Sequence, residues 1–218
     1  MFSVNMIKAI LFDRDGVIVD SEAIHIRSID EAFKRQGVKI NKEDKKFVVG
    51  RNNRLHIAHF RKIYSFNEEK WAEDEVKLYH KYFDNVKIFD PCVRFIKKVK
   101  KIGFKTALVT SGGINSTNKM FKRTGLDKYF DAVITHEQCK EVKPHPMPYL
   151  IAAKELKVLP SECVVIEDSE VGVTAAVNAG MKCIVIKNKF TKHHDFSKAS
   201  LVVDSADEID VDSLKKMQ

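Results

Sequence analysis

Asp13 and Asp15 are the residues whose types and spacing point most directly to chemistry. The apolar run Ile10-Leu11-Phe12 ends in these two carboxylates, with Arg14 between them and Gly16 after. An apolar run closed by a turn signal reads as a buried strand carrying its acids at the carboxyl end. Ligands of open α/β sheets bind in the crevice outside such ends. Two carboxylates this close repel unless a cation or a shared proton separates them. Magnesium suits the pair, because it takes oxygen ligands and is usually held by one or two carboxylates together with substrate phosphate. Taken alone, Asp-x-Asp-Gly is equally a surface turn, since Asp and Gly are turn residues. A calcium loop is excluded by spacing: it needs oxygen at its fifth position and Gly at its sixth, where the chain has Val17 and Ile18.

Three later segments carry comparable polar groups. Val109-Thr110-Ser111-Gly112 closes another apolar run, and Thr110 can donate its hydroxyl to a phosphoryl oxygen. Ser111 and the amides of Gly112 and Gly113 are further anion-binding candidates at a helix start, although the same residues could simply cap that helix. In Lys143-Pro144-His145-Pro146 the prolines bar helix and fix Lys143 on a loop. Val165-Ile166-Glu167-Asp168-Ser169, with Gly172 beyond, repeats the strand-then-acid pattern, so Asp168 is the second metal ligand to expect. Glu167 is a weaker one, since neighbouring side chains on a strand point to opposite faces.

In this order the four segments resemble the motifs of the haloacid dehalogenase superfamily, and within it the small-molecule phosphatases and the β-phosphoglucomutase-like members. The resemblance implies that Asp13 is a nucleophile forming an aspartyl-phosphate and that Asp15 is the general acid and base. It implies that the main-chain carbonyl of Asp15 also touches Mg2+, the expected cofactor. Thr110 would donate its hydroxyl to a phosphoryl oxygen, Lys143 would neutralise the phosphate and the attacking carboxylate, and Asp13, Asp15, Asp168 and Glu167 would form the metal set. The acid role requires the Asp15 pKa to be raised toward the working pH. Two positions depart from the family: Arg14 replaces an apolar residue, and Met147 replaces a common acid of the third motif. The mutases carry Ser-x-Ser-x-Asn at the second motif, whereas here Gly112 and Ile114 occupy the latter two positions and cannot hold a distal phosphate. The dehalogenase branch lacks the second aspartate, held here by Asp15. The expected activity is therefore Mg-dependent hydrolysis of a small phosphomonoester, of the sugar or polyol phosphate or phosphoglycolate type. A phosphomutase is the alternative, and a non-catalytic binding protein on the same fold is the second.

These residues need a scaffold to position them. Strand-like runs recur at 7–12, 105–109, 132–135, 163–166, 183–186 and 201–203, alternating with helical patterns, which is the rhythm of a parallel α/β sheet. The fold expected is a Rossmann-like doubly wound parallel sheet. From about Asp20 to Val86 the rhythm stops: 21–36, 52–64 and 67–83 read as helices and no strand intervenes. Such a stretch far exceeds an ordinary crossover, and the family would place a cap domain there. The division expected is 1–19 with 87–218 as phosphotransfer core and 20–86 as helical cap. In the cap, His25 and the segment Gly50-Arg51-Asn52-Asn53-Arg54 are the specificity candidates, with Arg51 and Arg54 offering forked donors. His193 and His194 read as surface loop.

The chain has 218 residues, 44% hydrophobic and 31% charged, with a net charge of +8. That charge raises nucleic acid as a partner, but the lysines argue against it. In 92–102 the apolar residues Cys92, Phe95, Ile96 and Val99 keep helical spacing, which leaves Lys97, Lys98, Lys100 and Lys101 mostly on the solvated face. No apolar stretch reaches the ~18 residues of a spanning helix. The four cysteines form no Cys-x-x-Cys pair, as expected of free thiols in a reducing cytoplasm. A cytoplasmic monomer acting on a small phosphorylated metabolite, without nucleic acid or membrane, is the expectation.

Overall fold

The computed structural model describes residues 6–49, 51, 53–215 and 217. Gly50 and Asn52, part of the segment singled out above, lie outside them. Six parallel strands form the central sheet: β1 (Ala9–Phe12), β4 (Lys105–Val109), β5 (Ala132–Ile134), β6 (Cys163–Glu167), β7 (Lys182–Ile186) and β8 (Leu201–Val203). Their order is β5-β4-β1-β6-β7-β8. The order turns back at β1, which pairs in register with both β4 and β6. A ligand crevice is expected at that point, outside the carboxyl ends.

Alternation along β1 sends its residues to two cores. Ile10 and Phe12 join Phe95, Ile96, Val99 and Met120 from α5 (Asp90–Ile102) and α6 (Ile114–Thr124) on one face. Ala9 and Leu11 join Tyr149, Ala152, Ala175 and Ala176 from α7 (Met147–Leu156) and α8 (Glu170–Asn178) on the other. Buried on both faces, the inner strands β4, β1, β6 and β7 are the continuous apolar runs that parallel sheets require. The doubly wound Rossmann-like architecture is the one expected.

Between Asp20 and Val86 lie four helices: α1 (Glu22–Lys34), α2 (Lys42–Val48), α3 (Asn53–Phe60) and α4 (Glu68–Phe83). Asn41 opens α2 with a capping box to Asp44, and Asn67 caps α4 through the Lys70 amide. The helices share their own apolar cluster, with Phe33 4.9 Å from Phe60 and 5.2 Å from Trp71 between ring centroids. The segment leaves and re-enters the core through two short antiparallel strands, β2 (Val19–Asp20) and β3 (Lys87–Ile88). A short helix α9 (Val211–Lys215) ends the described chain. Among the described residues no helix is long and apolar enough to cross a membrane.

Candidate active site

Asp13 directly follows β1, and its amide donates to the Ile166 carbonyl at 2.9 Å. This bond ties the head of one central strand to the next. Asp168 follows β6, so both acids sit at the switch point of the sheet. Gly16, at φ +78°, lets the chain turn past them: a Cβ there would lie 1.9 Å from Asp168 Oδ2. Asp13, Glu167 and Asp168, all buried, bring carboxylate oxygens within 4.8 Å of one another.

Lys143 reaches into this cluster from its proline-bounded loop. Its Nζ donates to Asp13 Oδ1 at 2.5 Å, to Glu167 Oε1 at 2.7 Å and to the Val109 carbonyl at 3.2 Å. Glu167 is fully occupied, because Oε1 also accepts from Tyr149 Oη at 2.7 Å and Oε2 from the Asp168 amide, the Ser169 amide and the Ser169 hydroxyl. Its carboxylate therefore anchors Lys143 and the turn after β6. Asn188 Nδ2 donates to Asp168 Oδ2 at 2.7 Å.

Burial first, then the Glu167 and Asp15 charges, push Asp13 up to about 8 although Lys143 pulls the other way. Burial likewise holds Asp168 well above the usual carboxylate range, reinforced by Glu167 and Asp13. Burial also opposes ionisation of Glu167, but Lys143 outweighs it and keeps Glu167 low. For Lys143 the same two acids outweigh burial and keep the ammonium charged. Ionising all three buried acids would leave excess negative charge beside one lysine, and the donors are all hard oxygens. The residues thus fit a divalent cation of the magnesium type.

Thr110 follows β4 beside this cluster. Its hydroxyl donates to Asp15 Oδ2 at 3.2 Å and accepts from the Gly112 amide at 2.9 Å. The Gly112 amide is thus engaged within its own loop. The amide of Ile114, at the start of α6, donates to Glu137 Oε1 at 2.9 Å, so a carboxylate already caps that helix. Ser111 lies half-buried between them.

Asp15 corrects one expectation. Its pKa is lowered, not raised: burial works against ionisation, but the Arg14 guanidinium and hydrogen bonds from Ser21 and Arg14 overcome it. The carboxylate turns toward α1 and α4 and stands apart from the acidic cluster. Its side chain keeps 27% exposure.

In the helical segment, His25 Nε2 lies 3.5 Å from Asn53 Oδ1 and 3.7 Å from Glu75 Oε1. Arg51 is turned onto its own chain: its Nη1 donates to the Phe47 carbonyl at 2.8 Å, and its guanidinium stacks on the Phe47 ring at 4.5 Å. Arg54 is exposed on the first turn of α3. His194 is not a plain surface residue; it is half-buried and accepts from the Glu170 amide at 3.3 Å, and burial lowers its pKa to about 4.

The sequence matches the haloacid dehalogenase-like hydrolases over residues 10–186. The chain belongs to that family. It is 32% identical over 194 residues to YhcW of Bacillus subtilis, covering 85% of this chain and 86% of that protein. It is 30% identical over 183 residues to a phosphorylated carbohydrates phosphatase of Thermotoga maritima, covering 81% and 83%. The β-phosphoglucomutase of Clostridium difficile superposes with a TM-score of 0.83 at 28% identity, covering 97% of this chain and 96% of that one. Within the haloacid dehalogenase-like family, the chain stands among the phosphoric monoester hydrolases.

Four residues at the site escaped sequence reasoning: Tyr149, Asn188, Glu75 and Tyr79, whose hydroxyl donates to Asp15 Oδ1 at 3.3 Å. Asn188 had a usable signal, since it follows the apolar run of β7 as Asp168 follows that of β6. The others sit within helices, where nothing in their spacing marks them as polar partners.

Proposed function

We propose that the protein is a magnesium-dependent phosphatase that hydrolyses a small phosphorylated carbohydrate or polyol through an aspartyl-phosphate on Asp13. The observation that carries this reading is the buried contact of Lys143 with Asp13 at 2.5 Å inside the cluster completed by Asp168. A carboxylate attacks phosphorus only when ionised, and Lys143 supports that form. In the first half-reaction an Asp13 oxygen bonds to phosphorus, the bond to the leaving oxygen breaks, and Asp15 gives that oxygen a proton. In the second, water attacks phosphorus, Asp15 takes its proton, and Asp13 and inorganic phosphate are released. Splitting one hard step into two is the advantage of such a nucleophile. The low Asp15 pKa suits the second half; an anionic phosphoryl group arriving beside Asp15 raises it for the first. Thr110 and Ser111 offer hydroxyls to the phosphoryl oxygens.

Asp13, Asp168 and the main-chain carbonyl of Asp15 would hold magnesium, with Glu167 in the same cluster, and the ion would offset charge on the transferring group when bound. Residues 20–86 serve in this reading as a cap over the 1–19 and 87–218 core, with His25 and Arg54 offered to the leaving group and Arg51 holding the end of α2. The protein acts in the cytoplasm as a monomer, on a metabolite and not on nucleic acid.

A panel of phosphorylated metabolites tests the proposal, with the Asp13→Asn variant as control. Phosphate release in magnesium, lost in chelator and in folded Asp13→Asn, is the expected result. Isomerised sugar phosphate without phosphate release would indicate the mutase instead. Full turnover by Asp13→Asn would remove Asp13 from the nucleophile role, and no turnover of any compound would leave a binding protein.

A further inference from the structure

Arg14 stands between the two motif acids and is almost wholly buried, at 1% exposure. All five of its N–H groups have acceptors. Nε and Nη2 form a fork on Asp15 Oδ2 at 3.1 and 2.8 Å. Nη2 also donates to Tyr79 Oη at 3.3 Å, while Nη1 donates to Ser116 Oγ at 2.5 Å and Thr117 Oγ1 at 3.2 Å. The plane packs on the Phe83 ring at 5.3 Å. Room for it is made at Gly112, where a Cβ would lie 2.1 Å from Nη2.

The partners come from three places: Asp15 after β1, Ser116 and Thr117 on the first turn of α6, and Tyr79 with Phe83 on α4. A guanidinium is a rigid fork, so it fixes these groups relative to one another. Asp15 completes the arrangement. Its Oδ1 accepts from Ser21 at 2.5 Å and from Tyr79 at 3.3 Å, while its Oδ2 faces Thr110 at 3.2 Å. The oxygen gripped by Arg14 is therefore the one beside the phosphate-side hydroxyl. If Thr110 turns to a phosphoryl oxygen, Oδ2 loses that donor while both bonds from Arg14 remain.

We infer that Arg14 is a positioning residue: it aims the Asp15 carboxylate at the leaving oxygen and, through Tyr79, makes that aim depend on α4 being packed against the core. The inference rests on Asp15 being the acid and base of the proposed phosphatase. Removing Arg14 breaks its ion pair with Asp15, and deleting one partner of a buried pair is destabilising, so stability and aim are measured separately.

The test compares kcat/KM on two substrates: a polyol phosphate, whose alkoxide must be protonated to leave, and p-nitrophenyl phosphate, whose phenolate leaves unaided. This parameter reports transition-state stabilisation relative to free enzyme and substrate. In Arg14→Met the polyol-to-aryl ratio should fall about ten- to a hundred-fold, the scale of a 1 Å misplacement. Arg14→Lys, which keeps charge and loses the fork, should fall part of the way. Tyr79→Phe should lower the ratio less, and the double variant should be no worse than Arg14→Met alone. A ratio within about twofold of the parent in these variants, the scatter expected of uncoupled sites, overturns the inference even if melting temperatures drop. If Arg14→Met does not fold, Arg14→Lys and Tyr79→Phe decide by the same ratio. A parent inactive on both substrates overturns the phosphatase reading, and this inference with it; an active parent with an unmoved ratio overturns this inference alone.

Discussion

Lys143 is held by Asp13, Glu167 and the Val109 carbonyl in a buried space, and its removal leaves Asp13 and Glu167 buried without their common cation. Breaking such a pair by deleting one partner costs about 3–5 kcal/mol. Lys143→Met should therefore lose stability on that scale in denaturant titration, alongside its activity, and an unchanged midpoint would mean the acids had shed their charge. Asp13 leads to a pH prediction of definite sign. Its folded pKa of about 8 lies above its ordinary 3.8, so its contribution to stability is whole below about pH 4 and is lost as pH rises toward 8. Asp168 shifts in the same direction. A bound divalent cation replaces the protons these acids surrender. The magnesium-induced rise in melting temperature should thus be larger at pH 8 than at pH 6, and a rise independent of pH would contradict the assignment. Asp13, Asp15, Thr110 and Asp168 were legible in the sequence because each follows an apolar run, and Lys143 because prolines fix its loop. Arg14 was not, since its partners at Tyr79, Ser116 and Thr117 lie far along the chain.

At the scale of elements, α2 and α3 give the two candidate arginines different work. Arg51 donates to the Phe47 and Val49 carbonyls at the end of α2, so it satisfies groups that a helix terminus otherwise leaves open. Arg54 is exposed on α3 and free to turn toward a ligand. Arg54→Ala should cut kcat/KM on the preferred sugar-like substrate about ten- to a hundred-fold relative to an aryl phosphate, the worth of a charged hydrogen bond of about 1.5–3 kcal/mol. Arg51→Ala should show its loss mainly in thermal stability. Equal losses on both substrates for Arg54→Ala would take specificity away from this segment. The long helices α1 and α4 were legible from their apolar spacing, and the central strands from their unbroken apolar runs. The charged helix α2, Lys42–Val48, was not, because its stability comes from the Asn41 and Asp44 capping box and not from an apolar stripe. The strands β2 and β3, two residues each, are too short to carry any period.

Across the whole molecule, the groups of the proposed core chemistry follow strands β1, β4, β5 and β6, while the proposed leaving-group contacts lie in the segment between β2 and β3. The two strands that bound this segment are paired, Val19 with Ile88 and Asp20 with Lys87, and paired strands lie about 4.8 Å apart. The chain thus leaves and returns through one doorway. Closing a gap that narrow asks nothing of the segment's length or fold, so a different set of helices could be grafted at the same two positions without disturbing the order of the sheet. Such a layout lets choice of reactant drift by mutation within the segment while Asp13, Lys143 and Asp168 stay under the separate constraint of the sheet, whereas a grafted module would have to restore the contacts of Tyr79 with Arg14 and Asp15.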